Sequence, residues 1–170
     1  PCTPGEAQQL VVYTSHKEEV YTPIIREFEE RTGIWVDVVS GGTNELLQRI
    51  QQEADAPKAD VMFGGGVESL ESYQDCFSPY ICREAAGISE QFQAESGCWT
   101  PFSALPVVLV YNTKLVAPVS LTSWKDLESP AFRGKIAFAD PQISGSSYTA
   151  LVTRLQTGGG MEESLTRLCT

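Results

Sequence analysis

Within the first ~75 residues a short apolar run meets a cluster of glycine, serine or threonine and passes into a helical pattern three times over. Leu10-Val11-Val12-Tyr13 runs into Thr14-Ser15, and Val20, Ile24, Ile25 and Phe28 follow at helical spacing until Thr32-Gly33. Ser15 and Glu18 have the spacing of a capping box, which predicts Ser15 as the N-cap. Residues 34–39 alternate and branch like a strand, end in Ser40-Gly41-Gly42-Thr43-Asn44, and yield to Leu46, Leu47 and Ile50. Ala59-Asp60-Val61-Met62-Phe63 then runs into Gly64-Gly65-Gly66 before Val67, Leu70 and Tyr73. Such alternation predicts an α/β fold, a parallel sheet joined by right-handed crossovers. In a sheet of that kind every strand-to-helix turn lies on the carboxyl edge, where ligands bind. Thr14, Ser15, His16, Gly42, Thr43, Gly64, Gly65 and Gly66 are therefore expected on one cleft wall.

A fourth unit of the same kind comes late in the chain. An apolar run at 135–139 enters Asp140-Pro141-Gln142-Ile143-Ser144-Gly145-Ser146-Ser147-Tyr148-Thr149, and Ala150, Leu151 and Leu155 continue as a helix. The first N–H groups of a helix lack intrahelical partners and its dipole favours negative charge there. Gly145 admits a ligand to the backbone, and Ser146, Ser147 and Thr149 add hydroxyls, so this turn can hold an anion without a Walker lysine or a dinucleotide glycine fingerprint. Tyr148 joins Gly145, Ser146 and Ser147 as the expected lid contacts. The same residues also suit simple capping by Ser144 or Ser146.

Between these units the chain is less regular. Residues 76–97 read as a polar surface connection with a short helix near Glu90. Ala104-Leu105-Pro106-Val107-Val108-Leu109-Val110-Tyr111 reads as a strand in which Pro106 excludes an uninterrupted central ladder. A break in composition near 112–120 is the expected hinge, and a proline-punctuated link carrying Trp124 follows. The resulting division is a tail at 1–9, a first lobe at 10–112 with its crossover strand, hinge and linker at 113–134, and part of a second lobe at 135–170. Gly158-Gly159-Gly160 separates two helical patterns within that last part.

Composition narrows the chemistry. A net charge of −10, from 12 basic and 22 acidic residues, argues against nucleic acid or an anionic membrane as partner. No apolar run is long enough for a membrane span. Pro1-Cys2-Thr3-Pro4-Gly5 reads as a flexible mature amino terminus, compatible with a removed export signal and a periplasmic or extracellular location, anchored to a membrane or free. Cys2, Cys76, Cys82, Cys98 and Cys169 match no zinc spacing. Cys82 and Cys98 are the expected disulfide, with Cys76 as the rival partner and small buried thiols as the other reading. The chain has no Gly-x-Ser-x-Gly elbow and only one histidine, His16, so an enzyme is not expected, and Asp140 reads as a loop-fixing carboxylate. No cofactor is expected.

Seven segments in this order resemble the solute-binding proteins of ABC transporters: Val-Val-Tyr-Thr-Ser-His at 11–16, Gly-Gly-Thr-Asn-Glu-Leu at 41–46, Ala-Asp-Val-Met-Phe-Gly-Gly-Gly at 59–66, Val-Tyr-Asn-Thr at 110–113, Ser-Trp-Lys-Asp-Leu at 123–127, Gly-Lys-Ile-Ala-Phe-Ala-Asp-Pro at 134–141 and Ser-Gly-Ser-Ser-Tyr-Thr-Ala-Leu at 144–151. The similarity spans residues 10–156 and is strongest to the cluster of ferric-iron, hexose-phosphate and phosphonate receptors. The resemblance implies a type II periplasmic-binding-protein-like architecture: a three-layer, mostly parallel lobe, the start of a second α/β lobe, and ligand held between them by hinge closure. It implies a small anionic solute such as a phosphorylated sugar or phosphonate as ligand and an ABC permease in the membrane as partner. His16 falls where the iron-binding members place a metal-ligating histidine, but their carboxylate would fall in Gly64-Gly65-Gly66, and Glu68 would have to reach back. Their tyrosine pair would lie beyond Thr170. His16 thus stands as a solvated cap residue, a donor to an anion, or a ferric ligand. A ligand-sensing receptor domain on the same fold is the remaining alternative. A second lobe with one strand implies an open sheet edge and self-association through it.

Overall fold

The structure is a computed structural model that describes residues 9–115 and 121–157. β1 (Gln9–Thr14), β2 (Trp35–Ser40) and β3 (Val61–Phe63) form a three-stranded parallel sheet in the order β2-β1-β3. β1 is central, and Thr14 is in register with both Ser40 and Phe63, so the three strands end at one level. The helices are α1 (Glu18–Thr32), α2 (Thr43–Gln52), α3 (Val67–Glu71) and α4 (Gly145–Thr157). The strand-to-helix alternation therefore folds as its periodicity dictates.

The core sits where β1 meets α2. Val12, Tyr13, Val36, Leu46 and Leu47 are buried there, Leu47 completely. Carboxylates complete the strand hydrogen bonding: Val11 N–H donates to Asp60 Oδ2 at 2.8 Å, and Val36 N–H on edge strand β2 donates to Glu29 Oε1 of α1 at 2.9 Å. Part of the acidic composition is thus spent inside the fold. Tyr13 OH donates to Glu53 Oε2 at 2.9 Å, Arg49 Nε donates to Glu53 Oε1 at 2.8 Å, and the Arg49 guanidinium lies 4.8 Å from the Tyr13 ring centroid. This cluster locks the end of α2 to the central strand.

Several local expectations change. α1 starts at Glu18 with Lys17 as its N-cap, so Ser15 is not the cap. Thr14 Oγ1 accepts the His16 N–H at 3.1 Å and holds that turn extended, so the helix begins two residues later than the capping-box spacing suggests. Glu18 and Glu19 then complement the positive end of the helix dipole. Gly33, with φ of 71°, ends α1 as the sequence suggests.

Residues 104–111 form no strand, with Leu105 79% and Val110 92% exposed. Residues 135–139 form none either, and Phe138 is 54% exposed. A strand exists only when a neighbour accepts from its N–H groups and donates to its C=O groups, and among the described residues neither segment has one. Cys76, Cys82 and Cys98 are free thiols, which corrects the expected disulfide. Cys98 Sγ is directed at the Phe77 and Ser96 carbonyl oxygens at 3.6 and 3.7 Å rather than at another described thiol. Cys2, Cys169, the amino-terminal tail and the triple glycine at 158–160 lie outside the described residues.

Candidate functional site

All four turns meet at the carboxyl edge of the sheet. A Cβ built on Gly64 would fall 2.8 Å from Ser15 Oγ and 3.1 Å from His16 Nε2, and one on Gly65 would fall 3.2 Å from Thr43 Cγ2. The turns after β1, β2 and β3 are therefore in mutual contact, and glycine is what allows the approach. Gly64 and Gly65 have φ of 116° and 102°, a region that side chains resist.

The fourth turn closes onto this edge. A Cβ on Gly145 would fall 2.8 Å from Thr43 Cβ, and one on Gly42 would fall 2.6 Å from the Ile143 carbonyl oxygen. Asn44 donates twice to this turn, through its backbone N–H to Ile143 O at 3.3 Å and through Nδ2 to Pro141 O at 2.6 Å. Thr149 Oγ1 donates to Glu68 Oε2 at 3.0 Å. On its far side α4 is held by the buried Arg154, which is ion-paired with Glu128.

Each expected site residue takes a definite place. Thr14 is fully buried and its hydroxyl is committed, donating to Phe63 O at 2.8 Å and accepting from His16 N–H; it orders the turn and has no hydroxyl hydrogen left for a ligand. Ser15, Gly42, Thr43, Gly64, Gly65 and Gly66 share the convergent edge with Gly145. Ser147 is buried and its N–H donates to Ser144 Oγ at 3.4 Å, so Ser144 caps α4 while Ser146 stays exposed. Tyr148 faces a different space, bordered by Asn44, Gln48 and Ser69. No carbonyl among the described residues accepts the N–H groups of Gly64, Gly65, Gly145 or Ser146, which leaves them available as anion donors.

His16 is the correction with the most chemical weight. Its ring lies 5.0 Å from Phe63 and 5.6 Å from Phe102, those two phenyl rings stack at 5.1 Å, and His16 Nε2 is buried without a hydrogen-bond partner. It is packed among aromatic rings, which removes the solvated-cap reading. Glu68, the carboxylate that would have had to reach back, is held by Thr149. Among the described residues no cluster of three His, Cys, Asp or Glu side chains is arranged to hold a metal ion. Sequence reasoning missed Phe102, which precedes the apolar run at 104–111, and the role of Asn44, whose clamp on residues 141–143 has no local signature.

The sequence profile of the bacterial extracellular solute-binding proteins matches residues 24–165. The chain belongs to that family. It is 28% identical over 167 residues to iron uptake protein A1 of Synechocystis, covering 96% of this chain and 46% of that protein. It is 29% identical over 151 residues to the Fe(3+)-binding periplasmic protein of Serratia marcescens, covering 87% and 44%. The solved structure of the periplasmic binding protein P5PA superposes with a TM-score of 0.75 at 27% identity, over 94% of this chain and 54% of that one. The chain thus spans about half the length of these relatives. Its architecture is the type II periplasmic-binding-protein fold, and the family is one of binding proteins rather than enzymes. No helix among its described residues is long and apolar enough to cross a membrane.

Proposed function

We propose that this chain is part of the solute-binding component of an ABC importer, working outside the cytoplasmic membrane and capturing a small anionic solute such as a phosphorylated sugar or a phosphonate. The observation that carries the proposal is the meeting of the turns after β1, β2 and β3, the last two glycine-bearing, with the amino end of α4, where the N–H groups of Gly64, Gly65, Gly145 and Ser146 have no carbonyl partners among the described residues. Backbone donors and a helix dipole favour an anion, and Lys17 is the one basic side chain beside these turns. Residues 113–134 serve as hinge and linker in this reading, so the α4 turn engages ligand on closure.

Ferric iron is the second reading, favoured by the names of the two curated relatives and by the unpartnered Nε2 of His16. A receptor that senses its ligand without transport would use the same geometry. Self-association belongs to the proposal as well, since Leu105, Val108 and Val110 are exposed apolar side chains and, among the described residues, β2 and β3 are edge strands with no further strand beside them.

Calorimetry against sugar phosphates, phosphonates and ferric chelates separates these readings. A phosphorylated ligand is expected to bind, and Ser146→Ala with Ser147→Ala to weaken it by about one to three powers of ten. Unchanged phosphate affinity in that double variant, or binding of ferric chelates alone, sinks the anion reading. Light scattering over a concentration series reads out self-association.

A further inference from the structure

Three aromatic rings stand in mutual contact at the carboxyl edge of the sheet, each delivered by a different part of the chain. His16 follows β1, Phe63 ends β3, and Phe102 comes from the irregular segment well after α3. Phe63 and Phe102 lie 5.1 Å apart with 24° between their planes, and the His16 ring packs against both, at 5.0 and 5.6 Å. These are the separations of favourable aromatic pairs. The segment that carries Phe102 is anchored by Trp99, whose Nε1 donates to Glu71 Oε1 of α3 at 2.6 Å. The β3-to-α3 unit therefore carries Phe63, the turn glycines and the anchor of the Phe102 segment.

The array runs from covered to open. His16 and Phe63 are half-buried, whereas Phe102 is 59% exposed although Phe63 stacks on it. A single exposed phenylalanine is ordinary, but this one ends a ring stack that begins beside the backbone donors of the glycine turn. A Cβ built on Gly64 would fall 3.0 Å from His16 Cδ2. The imidazole thus bridges the turn that offers free N–H groups and the phenyl ring that offers apolar surface.

An anionic group seated on the N–H groups of Gly64 and Gly65 brings the rest of its molecule against these rings. A sugar ring there carries hydroxyls that each need a partner, yet two of the three rings have no polar atom and the Nε2 of His16 is buried. A planar ring without hydroxyls loses no hydrogen bond on the same surface, and stacking adds to the gain from the apolar area it covers.

We propose that the solute is a phosphate or phosphonate carried on a planar unsaturated ring, with Phe102 as the residue that selects for the ring. The inference rests on the anion reading of the glycine turns and narrows it.

The test is calorimetric titration of the protein with phenylphosphonate, methylphosphonate and glucose 6-phosphate, with phenylphosphonate also followed by proton NMR. Phenylphosphonate is expected to bind at least about tenfold more tightly than either of the others. Its ring protons are expected to shift upfield on binding, and the His16 ring resonances to move with them. Phe102→Ala, a change at an exposed position, is expected to cut the preference for phenylphosphonate over methylphosphonate severalfold, and Phe102→Trp to retain it. Equal affinity for those two compounds, or tighter binding of glucose 6-phosphate, overturns the inference and leaves the anion reading standing. So does a phenyl preference that Phe102→Ala leaves unchanged. No response to any of the three compounds at millimolar concentration overturns the anion reading and the inference together.

Discussion

Thr149 Oγ1 donates to Glu68 Oε2 at 3.0 Å, tying the first turns of α4 to α3 across the carboxyl edge of the sheet. The bond occupies a carboxylate beside Gly66 and holds the amino end of α4 against the turn after β3. A neutral donor on a charged acceptor contributes about 1.5–3 kcal/mol when water is excluded. Thr149→Val keeps the shape and removes the donor. Because Glu68 is half-buried, a loss near the lower end of that range is expected in urea unfolding. Glu68→Gln, which can still accept, is expected to cost less. Equal stability of Thr149→Val and the parent protein would show that α4 is held by packing alone.

The contact of Gly145 with Thr43 predicts a steric effect. Gly145→Ala would set a Cβ 2.8 Å from Thr43 Cβ, so one of the two helix ends must move. Overpacking of this kind costs about 1–3 kcal/mol. The variant should unfold at lower urea concentration, and adding Thr43→Gly should recover most of the loss. A double variant no more stable than Gly145→Ala would place the strain elsewhere.

Glu53 predicts an acid response. Its carboxyl lies below the ordinary value of 4.5 because Arg49 donates to it, a shift that burial opposes and the Tyr13 hydroxyl assists. A carboxylate whose folded pKa is depressed contributes stability that is complete above its unfolded pKa and is lost as pH falls through the folded one. Stability should therefore fall from about pH 4.5 downward, and Glu53→Gln should show a shallower acid slope together with lower stability at neutral pH. An unchanged slope in Glu53→Gln would assign the acid response to other carboxylates.

The cage around His16 can be read directly because the chain has a single histidine. Phe102 lies edge-on to that ring at 5.6 Å, so its ring current acts on the imidazole protons. Phe102→Ala should move both His16 ring resonances and raise the rate of hydrogen–deuterium exchange at the ring. Resonances that stay in place would mean that Phe102 does not cover His16 in solution.

Much of this was legible in the residues. The strand-to-helix alternation at 10–73 fixed a parallel sheet, and the placing of Gly42, Thr43, Gly64 and Gly65 on one edge followed from that order of elements. The capping residue of α1 was misplaced because Ser15 and Glu18 satisfy a local spacing, whereas the position of Ser15 is governed by Thr14 Oγ1 bridging to Phe63 O in another strand. The runs at 104–111 and 135–139 have strand composition without strand structure. Composition records that a segment suits a ladder, and only a neighbouring strand makes one.

By itself the sequence determined the sheet, its parallel sense, the glycine turns and the family, because these depend on local periodicity and on the order of elements. The tertiary structure alone decided which groups are free. Thr14, Glu68 and Asn44 look equally available in the sequence, and each is taken by a partner from another element, Phe63 O, Thr149 Oγ1 and Pro141 O. His16 and Ser69 are the reverse case, polar groups that packing has left without a partner. A hydrogen bond between distant elements depends on a separation of about 3 Å that folding sets and local sequence does not encode, so the division between spent and available donors appears only when the chain is folded.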